Sequence, residues 1–513
     1  MRRIFLLLAS AGVTLFAQAP DKCKDLATFQ VPGNRLEITR AEIVAAGPPA
    51  AGRGGQSGPV LPARCLVDGI IDRRTGPDGK TYGIRFAIAL PEKWTGQYLQ
   101  QGGGGLNGTV AEPIGSQAAG TQPAIARGFA VATSDTGHQS SGGGFDGSFL
   151  QDQQAVLDFE FVAIGRLAVV AKRIMEVHYG RPPEHSYYVG CSTGGREAML
   201  MSQRYPFYFD GVVAGAPAMR TGFSNLATRS VAVALNAIAP KDANGRPGAA
   251  LSDSDKKAVI AKLLEVCDAR DGASDGMIFN VTGCSFRPAD LQCVGAKAEG
   301  CLSAEQVAAI EKGFAGPKTS SGKQVYPGFF YDTGIAAQSG IPGLLNPGPS
   351  PVGGPTVATT QDVDAETAVV DNNPTARIGD SYSWVNLNSF SSHGGKLIFY
   401  HGVSDPWFSA KDTIDYYQRM TAANGGESKV QGWSRLFLAP GMGHCGGGSA
   451  ALDTFDMLTA SVDWVEKGQA PESVTATGRA FPGRSRPLCP YPAHAQYKGQ
   501  GNLEDAANFE CQR

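Results

Sequence analysis

Gly190-Cys191-Ser192-Thr193-Gly194 and Gly443-His444-Cys445-Gly446 lie far apart in the chain, and each sets a side chain suited to acyl transfer beside a cysteine. A serine hydroxyl is a poor nucleophile near neutral pH, so it needs a base to take its proton and an acid to orient that base. The first segment fits Gly-x-Ser-x-Gly, whose glycines permit a sharp turn that exposes the serine oxygen. Taken bare, so short a pattern is as readily a glycine-rich turn. Its flanks add weight: His185-Ser186-Tyr187-Tyr188-Val189 reads as a strand, and Gly195 to Arg204, with Ala198, Met199 and Leu200, as a helix.

The partners follow downstream. Lys396-Leu397-Ile398-Phe399-Tyr400 reads as an apolar strand running into His401-Gly402-Val403-Ser404-Asp405-Pro406-Trp407, which sets Asp405 just past a strand end. Arg435-Leu436-Phe437-Leu438 is a second strand, and the loop after it carries His444. An Asp-Pro turn and a histidine in a glycine loop are the ordinary readings of either residue alone. Together, in the order Ser, Asp, His and each beyond a strand, they predict an α/β-hydrolase triad: Ser192 as nucleophile, Asp405 as orienting acid, His444 as base. Among the other histidines His401 is the main competitor, read here as a structural turn residue.

Leu99-Gln100-Gln101-Gly102-Gly103-Gly104-Gly105-Leu106-Asn107-Gly108 follows a strand beginning near Tyr98. A glycine run there brings backbone N–H groups to a developing oxyanion, with Gly103 or Gly104 as one donor and Thr193, the residue after the nucleophile, as the other. A phosphate loop is excluded by the missing Gly-Lys-Ser/Thr ending.

Met1-Arg2-Arg3, the apolar run Ile4 to Phe16 and the exit Ala17-Gln18-Ala19 have the pattern of a secretory leader, residues 1–19. That implies a secreted or periplasmic protein whose ten cysteines pair. If Ser192 and His444 meet, Cys191 and Cys445 are carried to bridging range. Counting alone leaves the other pairings open. Proximity suggests Cys267 with Cys284 and Cys293 with Cys301, while Cys489 with Cys511 would tether the C-terminal tail and Cys23 with Cys65 would close the N-terminal segment.

Cys267-Asp268-Ala269-Arg270-Asp271-Gly272-Ala273-Ser274-Asp275-Gly276-Met277 offers three carboxylates loosened by two glycines, hard oxygen ligands of the kind calcium prefers. Ordinary Asp-Gly turns would produce the same composition.

Taken together, Cys-Ser in the elbow, Asp in Ser-Asp-Pro-Trp and His-Cys in Gly-His-Cys-Gly-Gly resemble the tannase and feruloyl esterase family, and the cysteine order follows it from Cys23 to Cys511. The resemblance implies an α/β-hydrolase fold, a disulfide beneath the triad and the triad roles above. It also implies a structural calcium held by the side chains of Asp268, Asp271 and Asp275 and the carbonyls of Ala273 and Met277, serving a lid and taking no part in catalysis.

The elements that must position these residues set the domain plan. A chain of 513 residues exceeds what one core usually serves. The triad divides it into a catalytic domain of residues 20–219 and 392–513 and an inserted lid of residues 220–391. Gln151 to Tyr179 is the clearest amphipathic helix, its stripe of Val156, Phe159, Val162, Ala163, Leu167 and Val170 read as core and not site.

A net charge of −2 without long charged runs gives no case for nucleic acid or a membrane surface. The partner expected is a small or polymer-linked aromatic ester, its ring held by lid aromatics. Phe329, Phe330, Tyr331 and Phe408 are the candidates; Phe330 and Phe408 are taken as substrate-binding and Phe329 as lid core. A galloyl ester needs polar groups for several ring hydroxyls, and a terephthalate half-ester invites a cation, which the family's terephthalate half-ester enzyme supplies as a lid arginine. Tyr331 to Ala376 contains no lysine or arginine, so a feruloyl-type ester is preferred. A silent phenolic-binding protein would be expected to have a broken triad, and none is visible.

Overall fold

The run His185 to Cys191 forms a strand buried on both faces, with Tyr188 in one hydrophobic core and Tyr187, Val189 and Cys191 in another. Burial on both faces characterises a parallel strand covered by helices on each side, and it explains the absence of polar alternation in this run. In the computed structural model, which describes residues 22–48, 59–141, 144–338, 340–346 and 356–513, this strand lies in a nine-stranded sheet. In chain order the strands are β1 (Leu36–Val44), β2 (Arg64–Thr75), β3 (Thr81–Pro91), β4 (Gln97–Gln101), β5 (Ala130–Ser134), β6 (His185–Cys191), β7 (Gly211–Gly215), β8 (Lys396–Gly402) and β9 (Ser434–Ala439). Across the sheet they run β1-β2-β3-β5-β4-β6-β7-β8-β9. Pairings are antiparallel from β1 to β5 and parallel from β5 through β4 to β9. The parallel part therefore ends its strands along one edge, where ligands bind in such sheets. The expected leader, residues 1–19, lies outside the described residues.

The stretch expected as one long helix is interrupted. α1 (Gln153–Leu157) passes through a π-turn at Asp158–Val162 into α2 (Ala163–Tyr179), whose buried stripe of Ile164, Leu167, Val170, Ala171 and Ile174 packs on the sheet. A π-turn inserts one extra residue into the helical register and re-aims the side chains around it. Gly180, at φ 78°, ends α2 in the left-handed conformation that glycine adopts without strain.

Between β7 and β8 the chain makes a long excursion. Whereas α3 (Thr193–Arg204) follows β6 directly, the excursion holds α4 (Thr221–Ile238), α5 (Asp253–Cys267) and α6 (Ala304–Phe314), which build a core of their own from residues such as Ala227, Val231, Leu263, Ile310 and Phe314. Capping boxes start α5 (Ser252 with Asp255) and α6 (Ser303 with Gln306). Cys267–Cys284 and Cys293–Cys301 staple this insertion. Its last stretch is not separate, because Tyr382, Val385, Leu387 and Phe390 pack into the core beneath the large sheet. Cys23–Cys65 and Cys489–Cys511 also form.

Candidate active site

Ser192 sits between β6 and α3 at φ 65° and ψ −122°, a conformation that strains any residue with a Cβ. Packing enforces it. A Cβ on Gly190 would lie 2.4 Å from Gly194 O, and one on Gly194 would lie 2.6 Å from Gly103 O, so both glycines of the pentapeptide are required for the approach of strand, helix and glycine loop. The Ser192 N–H donates to Gly215 O at 3.0 Å, and its carbonyl accepts from Ala218 N and Arg196 N, each at 3.0 Å.

Asp405 and His444 lie beyond the ends of β8 and β9, on loops joined by Val403 N to Ala439 O and Ser404 N to Met442 O, both 3.0 Å. His444 Nδ1 is 2.7 Å from Asp405 Oδ2. A carboxylate only accepts, so Nδ1 carries the proton and Nε2 keeps the lone pair of a base. Asp405 Oδ1 accepts from Trp407 N at 2.8 Å and Phe408 N at 3.0 Å. Burial pushes the Asp405 carboxyl up, but the imidazoles of His444 and His401 outweigh it and hold the group below the usual carboxylate range. His401 is itself fully buried, with Nε2 donating to Phe408 O at 2.9 Å and 3.4 Å from Asp405 Oδ2, and Nδ1 2.8 Å from Thr413 Oγ1. It buttresses the acid and is not placed to serve as base.

Cys191 and Cys445 are bridged with their Cα atoms 5.9 Å apart, which holds the adjacent residues Ser192 and His444 at one place. His444 Nε2 faces Cys445 Sγ at 3.6 Å, and no hydrogen bond joins it to Ser192 among the described residues. Catalytic contacts of free enzymes commonly tighten only with substrate in place.

The glycine loop corrects one expectation. The Gly103 N–H is engaged, donating to Glu197 Oε2 at 2.9 Å, so it is not available to an oxyanion. Among the described residues no acceptor takes the N–H of Gly104 or of Thr193, so both remain available. Glu197, buried on α3, also accepts from Asn107 Nδ2 at 2.9 Å and Tyr188 Oη at 2.8 Å. Burial raises its pKa against the pull of these donors.

A cavity of about 670 Å³ opens at Ser192 and Thr193. Its walls include Phe159, Met219, Phe223, Tyr382, Trp407 and Phe408, with the buried Arg196–Glu160 pair and Arg377 among them. Phe408 lines the cavity, its ring centroid 5.3 Å from that of His444. Phe330 does not line the cavity: it packs against the core beneath the sheet, under the Lys411 ammonium 4.8 Å from its ring. Phe329 and Tyr331 belong to the insertion's core, Tyr331 stacked on Phe314. Phe159 packs in the core with Phe149 and Ala155, as its place in the apolar stripe suggests, and at the π-turn it and Glu160 also reach the cavity wall. The two acids Asp158 and Glu160 flanking Phe159 inside an apolar stripe were the available signal.

The sequence profile of tannases and feruloyl esterases matches residues 69–348 and 355–512. The chain belongs to the tannase and feruloyl esterase family. It is 37% identical to the mono(2-hydroxyethyl) terephthalate hydrolase of Piscinibacter sakaiensis, over 89% of this chain and 86% of that one. The crystal structure of feruloyl esterase B from Aspergillus oryzae superposes with a TM-score of 0.76 at 26% identity, covering 96% of this chain and 99% of that one. Tannin acyl hydrolase from Aspergillus niger shares the fold, with a TM-score of 0.68 at 21% identity over 93% and 92% of the two chains. This tannase and feruloyl esterase family member is thus a carboxylic ester hydrolase of aromatic esters, with the α/β-hydrolase fold.

In this family member the acidic segment is a tight loop that follows α5 and is closed by the Cys267–Cys284 bridge. Asp268 accepts from Asp275 N and Gly276 N, Asp271 from Ala273 N and Phe279 N, and Asp275 from Met277 N and the Arg486 guanidinium. Among the described residues no three acidic, histidine or cysteine side chains converge as metal ligands. The donor chemistry nonetheless fits a hard divalent cation: Asp271 is 2% exposed and meets only amide N–H groups, and burial pushes its carboxyl up to about 7. The loop does not serve the insertion alone. Ala273, Met277 and Phe279 pack into the sheet-side core, whereas Cys267 and Ile278 pack into the insertion.

Proposed function

We propose that the protein hydrolyses phenolic carboxylic esters of the feruloyl type through an acyl-enzyme on Ser192. The observation that carries the mechanism is the 2.7 Å Asp405–His444 link, held beside the nucleophile by the Cys191–Cys445 bridge at the mouth of an aromatic-walled cavity. His444 Nε2 takes the Ser192 proton as the oxygen attacks the ester carbonyl. The N–H groups of Gly104 and Thr193 receive the oxyanion, and the proton passes to the leaving alcohol. Water then resolves the acyl-enzyme, with His444 again as base.

The leader-like sequence pattern of residues 1–19 and the pairing of all cysteines among the described residues support export to the periplasm or medium. Calcium at Asp268, Asp271 and Asp275, with the carbonyls of Ala273 and Met277, would supply charge compensation and take no part in the chemistry. The residues between β7 and β8 act as a lid that walls the cavity.

One observation favours a second acyl group. Arg377 follows immediately on the stretch without lysine or arginine and lines the cavity; its guanidinium donates to Asp371 O at 3.1 and 2.8 Å and pairs with no carboxylate among the described residues. Arg196 and Arg220, also in the walls, are paired with Glu160 and Asp412. Arg377 is therefore the group suited to a free carboxylate, as in a terephthalate half-ester. The test is kcat/KM on methyl ferulate, methyl gallate, chlorogenate and mono(2-hydroxyethyl) terephthalate, alongside Ser192→Ala. Substantial turnover by a folded Ser192→Ala variant would sink the mechanism, and the ranking of the four esters decides the acyl group.

A further inference from the structure

Asp332 lies in the insertion, at the start of the short turn Thr333–Ala336, and is fully buried. Its Oδ2 accepts two hydrogen bonds, from the Ser404 hydroxyl at 2.7 Å and from the Gly441 N–H at 2.7 Å. Ser404 is the residue before Asp405, and Gly441 begins the loop that carries His444. The Ser404 oxygen in turn accepts the Gly334 N–H at 2.9 Å. The three segments are in close contact, since a Cβ on Gly334 would lie 2.6 Å from Gly441 O and 2.7 Å from the Ser404 side chain. Asp332 Oδ1 has no hydrogen-bond partner among the described residues, although the neighbouring Thr333 N–H lies near enough to steady the carboxyl. Burying a carboxyl in this way is unfavourable, and ester hydrolysis as described above makes no use of it.

We propose that Asp332 is a positioning residue for the triad: through Ser404 and Gly441 one carboxyl from the insertion fixes the spacing of Asp405 and His444. The inference rests on the assignment of Ser192, Asp405 and His444 given above. Each loop is held on one side by the sheet, and Asp332 ties them together from the other. Without this tie the acid loop and the base loop would be joined only by Val403 N to Ala439 O, Ser404 N to Met442 O and the Asp405–His444 bond itself, and displacement by about 1 Å near reacting groups costs on the order of a hundredfold in rate. What the site requires of residue 332 is a single oxygen accepting two hydrogen bonds. An asparagine supplies that oxygen and sets its amide where Oδ1 has no partner.

The test compares Asp332→Ala, Asp332→Asn and Ser404→Ala in the full chain by two readouts. One is kcat and KM on methyl ferulate. The other is the rate at which a fluorophosphonate labels Ser192, which requires an activated serine but no particular acyl group. Asp332→Ala is expected to lose about a hundredfold in kcat and in labelling rate with KM nearly unchanged, and Ser404→Ala about tenfold. Asp332→Asn is expected to stay close to the wild type in both. Wild-type rates in Asp332→Ala overturn the proposal, as does an Asp332→Asn as impaired as the alanine variant, because a merely structural carboxyl would not give that rescue. If Asp332→Ala does not fold, wild-type rates in Ser404→Ala overturn it. If the wild type is labelled but does not turn over methyl ferulate, the acyl-group reading fails and the labelling rates still decide for or against Asp332. If the wild type is not labelled at all, the triad assignment and this proposal fall together.

Discussion

The N–H of Gly103 donates to Glu197 Oε2 at 2.9 Å, pinning the glycine loop to the helix that begins at the nucleophile. Both Glu197 oxygens accept: Asn107 approaches Oε1, while Gly103 and Tyr188 share Oε2. A glutamine can face only one of these sets with an acceptor. Glu197→Gln should therefore displace Gly104 from the oxyanion position and lower kcat by about tenfold to a hundredfold with little change in KM, below the loss from deleting a donor outright. Steady-state kinetics on methyl ferulate checks this, and an unaltered kcat would mean the loop holds itself.

The Cys191–Cys445 bridge spans 254 residues of sequence. Closing so long a loop stabilises the fold by on the order of 5 kcal/mol in the chain-entropy account. Cys191→Ala with Cys445→Ala should lower Tm and, because Ser192 and His444 lose their shared anchor, reduce kcat more than KM. Full activity in a folded double variant, or in wild type with this bond shown to be reduced, would remove the bridge from the mechanism.

Arg377 offers a substrate-dependent test. Arg377→Met should leave kcat/KM on methyl ferulate unchanged and reduce it on mono(2-hydroxyethyl) terephthalate by about tenfold or more, the loss of one charge-assisted hydrogen bond. Equal effects on both esters would assign the residue to the wall alone.

His138 is buried, stacked on Phe149 with ring centroids 3.7 Å apart, and its Nε2 donates to Leu106 O at 2.9 Å beside the cavity. Burial lowers its pKa to about 4 from 6.5. Between these values the unfolded imidazole binds a proton that the folded one does not, so stability is present above pH 6.5 and falls as pH drops toward 4, by about 3 kcal/mol in all. His138→Gln should flatten the decline of Tm over that window; an identical slope would place the acid sensitivity elsewhere.

Calcium at ten to a hundred times its dissociation constant should stabilise the fold by roughly 1.5 to 3 kcal/mol. Tm should rise with added calcium, fall with chelator, and cease to respond in Asp271→Asn, while kcat of the folded protein stays constant. A Tm indifferent to calcium in chelator-treated wild type would dismiss the site.

The grouping of Asp405 with His444 was legible because each stands a few residues beyond an apolar run, and such runs mark the existence of a buried strand well. The Cys191–Cys445 bridge was legible because its cysteines stand beside Ser192 and His444, and Cys267–Cys284 and Cys293–Cys301 because their members lie close in sequence. The reach of Phe159 to the cavity wall was not, since its place in the apolar stripe suits a regular helix and the π-turn that re-aims it leaves the spacing intact. Phe330 was misassigned because a run of aromatics does not tell which ring turns to the core. His401 read as a structural residue, and it is one, but its link to Asp405 needs the loop's closure to be seen. Asp332 carried no signal, as the partners of a lone buried carboxyl are set by segments distant in sequence.

The loop from Cys267 to Cys284 sends Cys267 and Ile278 into one core and Ala273, Met277 and Phe279 into the other, with Asp275 gripped by Arg486 from the C-terminal segment. The residues between β7 and β8 are therefore not an interchangeable module. A chimera that grafts a relative's insertion onto this scaffold must supply a carboxylate where Asp275 stands, or the fully buried Arg486 guanidinium is stranded at the seam without its counter-charge.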